Sequence, residues 1–282
     1  NNLYIKARCV VEGFIVGMHR SPYHGFSIEF SNHKEYKPKD EIKHVDWKLW
    51  ARTDKYFIKE YEEETNLRTY ILLDKSMSMD YKSSLHISKL EYGKIIAASL
   101  SYLMIKQKDA VGITTFDSKI ANKTDNKSTK SHLKNILTLL ENSYSSEDTA
   151  INTILHEYAE KIKQRGLIIL ISDLLDNPEK VINGLNHFKY LGHEVLVFHI
   201  LDNNEIELNL NNKTRFIDLE TTETIITDPQ LIKSQYMKTV KNFINYYKKK
   251  CLQNNIDYIM INTKNEISNV LFKYLQKRMT IH

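Results

Sequence analysis

Two short apolar runs, far apart in the chain, each end in an aspartate, and together they fix most of what this chain can fold into. The first, Tyr70-Ile71-Leu72-Leu73, runs into Asp74-Lys75-Ser76-Met77-Ser78-Met79; the second, Leu167-Ile168-Ile169-Leu170-Ile171, runs into Ser172-Asp173. Uninterrupted apolar runs of this length, bounded by polar residues, read as strands buried on both faces, the pattern of a parallel sheet covered by helices. In an open α/β sheet ligands sit outside the carboxyl ends of the strands, which is where Asp74, Ser76 and Ser78 fall. One carboxylate with two hydroxyls is hard-oxygen chemistry, suited to Mg²⁺ or Mn²⁺ rather than to a soft metal. The same residues also read as a strand-end aspartate and two serines that cap the next turn.

From about Arg68 onward strand and helix patterns alternate, which predicts parallel β-α units. The strands expected are Leu67–Leu73, Ala110–Phe116, Leu167–Ser172, Glu194–Leu201, Arg215–Leu219 and Ile256–Ile261. Helices are expected at Ile87–Ile105, Lys130–Leu140, Ile151–Gln164, Pro178–Leu191, Pro229–Gln253 and Glu266–Met279. Ile151, Ile154, Leu155, Tyr158, Ala159 and Ile162 share one stripe and should face the sheet. Ile95-Ile96-Ala97-Ala98-Ser99-Leu100 is apolar nearly all round, so its helix should be buried on several sides. Along Pro229–Gln253 the stripe is Ile232, Tyr236, Val240, Phe243, Ile244 and Tyr247, read as core, with Lys248-Lys249-Lys250 suiting the negative end of the helix dipole. Ala121–Lys127 reads as an exposed connection.

Residues 1–66 differ in character from 67–282. Phe14-Ile15-Val16-Gly17 and Phe26-Ser27-Ile28-Glu29-Phe30 read as short strands about a polar turn, so this part is expected to be a β-rich subdomain ahead of the α/β domain. Asp46-Trp47 and Arg52 read most simply as an Arg–Asp pair with a packed tryptophan.

A third segment completes the oxygen set: Glu147-Asp148-Thr149-Ala150-Ile151, a threonine just ahead of a strongly periodic helix. Thr149 also reads as an N-cap, and Asp173 as a loop carboxylate. In order and spacing, Asp74, Ser76, Ser78, Thr149 and Asp173 resemble the metal-ion-dependent adhesion site (MIDAS) of von Willebrand factor A domains. That resemblance implies hydroxyls binding a divalent ion directly and aspartates acting mainly through water.

The longer stretch ahead of it resembles the DUF58 family, whose members carry a von Willebrand A-like domain. The matching residues are His19-Arg20-Ser21, Gly25, Glu29-Phe30, Tyr36, Asp40, Asp46-Trp47, Ala51-Arg52-Thr53 and Tyr61-Glu62-Glu63-Glu64. Leu73-Asp74-Lys75-Ser76-Met77-Ser78-Met79 and Ser172-Asp173-Leu174-Leu175-Asp176 continue the match. Lys34 stands where the family often has arginine, Lys39 where it has glycine, and Glu147-Asp148 where a glycine precedes the threonine. The resemblance implies an α/β, Rossmann-like fold with a mostly parallel sheet flanked by helices. It also implies a link with MoxR-type AAA+ ATPases, the A domain serving as adaptor.

Three functions are weighed on these residues. The leading one is a non-enzymatic, Mg²⁺-dependent (or Mn²⁺-dependent) protein-binding adaptor that takes an acidic side chain of its partner. A metal-dependent hydrolase using Asp74 or Ser76 is the alternative, although an aspartyl phosphatase wants D-x-D and a serine hydrolase a G-x-S-x-G elbow, and neither is present. His86 near the site has no visible orienting partner. Nucleic-acid binding by Arg20, Lys34, Lys37, Lys39, Lys43, Lys48 and Arg52 is not expected, because acidic residues interleave them and the formal net charge is only +5. Two cysteines, Cys9 and Cys251, without C-x-x-C spacing suggest neither zinc nor a disulfide framework, and a reducing, cytoplasmic setting is expected. No apolar stretch approaches the roughly 18 residues of a membrane-spanning helix.

Overall fold

In a computed structural model of the chain, the residues described are 2–19, 33–35, 56–59, 68–83, 87–145, 150–210, 213–217 and 224–279. The order of elements is α1 (Asn2–His19), β1 (His33–Glu35), β2 (Phe57–Lys59), β3 (Arg68–Asp74), a 3-10 turn (Met77–Asp80), α2 (Lys89–Lys106), β4 (Ala110–Phe116) and β5 (Ile120–Lys123). Then come α3 (Lys130–Glu141), α4 (Ile151–Lys161), β6 (Leu167–Ser172), α5 (Pro178–Tyr190), β7 (Glu194–Leu201) and the short α6 (Asn203–Glu207). Last are β8 (Thr214–Ile217), β9 (Thr224–Thr227), α7 (Pro229–Gln253), β10 (Asp257–Asn262) and α8 (Ile267–Met279).

Six strands form the main sheet in the order β10-β7-β6-β3-β4-β5, all parallel except the edge strand β5, which runs antiparallel to β4. Every residue of β6 is buried, and β3, β4 and β7 are buried after their first residue. Continuous apolar sequence is what a strand covered on both faces requires. On one face Ile71, Leu73, Ile113, Ile169, Ile171 and Phe198 pack against α1, α2, α3 and α8. On the other, Leu72, Ile168, Leu170 and Val197 pack against α4, α5 and α7. The stripe Ile151, Ile154, Leu155, Tyr158 and Ala159 is buried as its spacing implies, and α2 is buried on nearly every side. This is the mainly parallel, helix-flanked α/β sheet expected from the sequence.

Several expectations are corrected. Phe14–Gly17, read as a strand, lies inside α1. Leu3, Ala7 and Val11, one turn apart, are its buried stripe, and packing of that stripe on the sheet's helical layer overrides the short β-favouring run. The chain divides into Asn1–Arg20 with Leu67–His282 as one compact unit and Ser21–Asn66 as another, so residues 1–20 belong with the α/β unit rather than with a β-rich segment. Within Ser21–Asn66, β1 and β2 pair antiparallel. Phe26–Phe30, Asp46, Trp47 and Arg52 lie outside the described residues. The strand expected at Arg215–Leu219 is β8, which pairs with β9 in a separate antiparallel hairpin rather than joining the sheet. Part of the connection expected at Ala121–Lys127 is β5, an edge strand that is partly to fully exposed along its length.

Candidate functional site

Asp74 closes β3 and Ser172-Asp173 closes β6, neighbouring strands registered with Leu73 opposite Ile171. From β3 the chain proceeds outward to β4 and β5, then returns to β6 and continues the other way to β7 and β10. The pair therefore stands at the topological switch point, where crossovers diverge and leave a crevice at the strand ends.

Asp74 is wholly buried, and both its oxygens are engaged. Oδ1 accepts the Ser76 N–H at 2.9 Å, and Oδ2 accepts the Ser172 hydroxyl at 2.6 Å. Ser172 Oγ in turn accepts the Leu174 N–H at 2.9 Å. The 3-10 turn that follows Ser76 folds Ser78 back, so that the Ser76 and Ser78 hydroxyl oxygens lie 3.1 Å apart. Asp173 receives the Leu175 N–H on Oδ1 at 3.3 Å. Just beyond it Leu174 adopts φ 57°, an uncommon conformation for a branched side chain. The Ser172 hydroxyl and the Tyr247 hydroxyl, 3.2 Å from the Leu174 carbonyl, hold it there.

Asp173 is also paired with a lysine. Lys89, the first residue of α2, is fully buried and donates from Nζ to Asp173 Oδ2 at 2.8 Å and to Glu205 Oε1 at 2.6 Å. Glu205 Oε2 accepts the Asp202 N–H at 2.7 Å, which with the Asp202 cap forms a capping box on α6. Beside this triad, Lys75 Nζ donates to Asp117 Oδ2 at 2.5 Å, joining the loop after β3 to the loop after β4.

Burial, followed by the neighbouring Asp173 charge, pushes the Asp74 carboxyl up to about 7, against the pull of the Ser172 and Ser76 hydrogen bonds. Burial would raise Asp173 as well, but the Lys89 ammonium outweighs it, aided by hydrogen bonds from Lys89, Ser78 and the Leu175 N–H, and its carboxyl lies below the usual range. Burial works against the Lys89 charge, yet Asp173 and Glu205 more than offset it and hold its pKa above the ordinary lysine value.

Of the five residues expected at the site, Asp74, Ser76, Ser78 and Asp173 converge. Thr149 and His86 lie outside the described residues. The N-cap position of α4 falls on Ala150, one past Thr149, and the Asn152 N–H reaches Asp176 Oδ2 at 3.5 Å. Among the described residues no group of three or more carboxylate, imidazole or thiol side chains is arranged to hold a metal ion. The convergent donors are instead two hydroxyls and two carboxylates, which suits a hard dication. Two cis ligands on an Mg²⁺ octahedron with bonds of about 2.0–2.1 Å stand about 3 Å apart, close to the Ser76–Ser78 spacing.

Sequence reading missed Lys89, Glu205 and the role of Ser172. A signal for Lys89 was present. A cation in the first turn of a helix opposes the macrodipole, so a lysine directly after the N-cap Ser88 needs an anionic partner. Nothing local marks Glu205 as that partner's neighbour.

Comparison with known proteins places the chain. Uncharacterized proteins of Mycobacterium bovis and Mycobacterium tuberculosis are 22% identical over 213 residues, which is 73% of this chain; the chain spans 65% of their length. An aerotolerance-related membrane protein from Bacteroides fragilis is similar in structure at 18% identity and TM-score 0.51, covering 77% of this chain and 100% of that one. BatB from Bacteroides thetaiotaomicron matches at 17% identity and TM-score 0.49, covering 76% and 99%. Among the described residues no helix is long and apolar enough to cross a membrane. The family described as "Protein of unknown function DUF58" matches residues 32–243. This chain, with its mainly parallel sheet flanked by helices, belongs to the DUF58 family.

Proposed function

We propose that this chain is a non-enzymatic, metal-dependent protein-binding adaptor working with a MoxR-type AAA+ ATPase. The observation that carries the reading is the convergence of Asp74, Ser76, Ser78 and Asp173 at the switch point of the sheet. Ser76 and Ser78, joined by Thr149, would hold Mg²⁺ or Mn²⁺ directly; Asp74 and Asp173 would orient bound water and balance charge. When bound, the ion supplies residual positive charge to which an acidic side chain of a partner protein can attach. Such a contact, sheltered at the strand ends, is stronger than an exposed salt bridge.

The hydrolase alternative draws less support. Among the described residues Ser76 Oγ is paired with another hydroxyl rather than with a base, and both Asp74 oxygens already accept hydrogen bonds. A reducing, cytoplasmic setting is part of the same reading, from the use of two widely separated thiols, Cys9 and Cys251.

The test is capture of the ATPase, or of its client, with the chain immobilised in Mg²⁺ and again in EDTA. Capture should disappear in EDTA, in Asp74→Ala and in the paired Ser76→Ala, Ser78→Ala variant, while circular dichroism stays that of the folded protein. Capture undiminished by EDTA refutes the metal-bridged contact.

A further inference from the structure

Lys89 is a cation already inside the site. Its ammonium is out of contact with solvent, reached from the start of α2, and it divides its hydrogen bonds between Asp173 Oδ2 at 2.8 Å and Glu205 Oε1 at 2.6 Å. A carboxylate that serves a metal through bound water must offer an oxygen to that water. Asp173 accepts the Leu175 N–H on Oδ1 and Lys89 on Oδ2, with a further hydrogen bond from the Ser78 side chain, so the ammonium competes with a hydrated ion for the carboxylate. It also repels a dication across a buried, weakly screened distance.

Glu205 draws the ammonium the other way. Its second oxygen is fixed by the Asp202 N–H, and its backbone carbonyl accepts the Tyr236 hydroxyl at 2.8 Å, so α7 secures the α6 turn on which it sits. Asp202, completely buried, is engaged by Ser83, Thr263 and Asn204 and leaves the lysine to the other two acids.

We propose that Lys89 is a built-in competitor for Asp173 that sets the metal affinity of the site, and that Glu205 controls how much of its charge Asp173 feels. This rests on the metal reading above. Lys89 touches neither partner nor ion; it acts through Asp173 and is a positioning residue.

The test uses the full chain, MgCl₂ alone as the probe, and two readouts: calorimetric titration, and thermal unfolding in EDTA against MgCl₂. Lys89→Met frees Asp173 and removes the repelling charge, so Mg²⁺ should bind about tenfold tighter or more. In EDTA this variant should unfold at a lower temperature than the parent, because the buried Asp173 and the partly buried Glu205 lose their counter-ion, and Mg²⁺ should restore more degrees to it than to the parent. Glu205→Gln leaves the ammonium wholly on Asp173 and should weaken Mg²⁺ binding several-fold. Opposite signs in the two variants are the signature. Affinity that is unchanged or weaker in Lys89→Met, with the parent binding normally, overturns the role given to Lys89 and leaves the metal reading standing. If no protein takes up Mg²⁺, both fall. Should Lys89→Met not fold, Glu205→Gln decides: weaker binding supports the proposal, unchanged or tighter binding overturns it.

Discussion

His199, on β7, is fully buried against Phe243, Tyr247 and Tyr258, with Nδ1 2.6 Å from the Tyr258 hydroxyl. Burial lowers its pKa to about 4, although the nearby Asp173 pulls the other way. An imidazole held neutral in the fold takes up its proton only on unfolding, so between pH 6.5 and pH 4 the unfolded state binds more protons and stability falls as pH falls. The loss attributable to this one residue is about 3 kcal/mol by pH 4. Denaturant midpoints between pH 7 and pH 4 should drop more steeply in the parent than in His199→Gln, since other acids titrate in both. Parallel slopes would show that the ring is not held neutral. Residues of this kind mark the limit of reading one sequence: Asp74 and Ser76 announce themselves by spacing, but nothing beside His199 says that three aromatic rings from α7 and β10 will enclose it.

At the scale of elements, α4 and α5 approach closely because Gly184 lets them. A Cβ built there would meet Leu155 Cβ at 2.8 Å, a branch point that cannot swing aside. Alanine is the better helix former by about 1 kcal/mol, but overpacking typically costs about 1–3 kcal/mol. Gly184→Ala should therefore lower the unfolding temperature, and a rise would mean that the two helices slide apart freely. The opposite is expected on β9 and at the start of α7. Ile225 and Ile226 are 67% exposed and Leu231 82%, so Ile225→Thr or Leu231→Ser should change stability by no more than about 0.5 kcal/mol. The apolar stripe of α7 is thus only half core. Tyr247 and Cys251 are buried and Phe243 partly so, while Ile232 stays 36% exposed. Periodicity locates a helix face; it does not say how far along its length a neighbour extends.

Across the α/β unit, the least anticipated contribution is α1. Its Leu3 and Ala7 close the layer that α2 and α8 form over one face of the sheet. Ala7 has no exposure, and Ala7→Glu would bury an unpaired carboxylate at a cost of several kcal/mol. Thermal unfolding should show a drop of many degrees, and tolerance of the charge would mean that α1 lies loosely on the layer.

Read along the chain, the apolar runs at Tyr70–Leu73 and Leu167–Ile171 were enough to establish doubly covered strands, because burial on both faces leaves no polar position to hide. The D-x-S-x-S spacing was enough to set three oxygens at a strand end, because the exit of a strand is local geometry. Which strand lies beside which was decided only in three dimensions, and with it the meeting of Asp74 with Ser172 and of Asp173 with Lys89 and Glu205. Those partners are separated by stretches of chain whose path depends on the packing of whole helices. A buried charge finds its counter-ion through the fold, not through its neighbours in sequence.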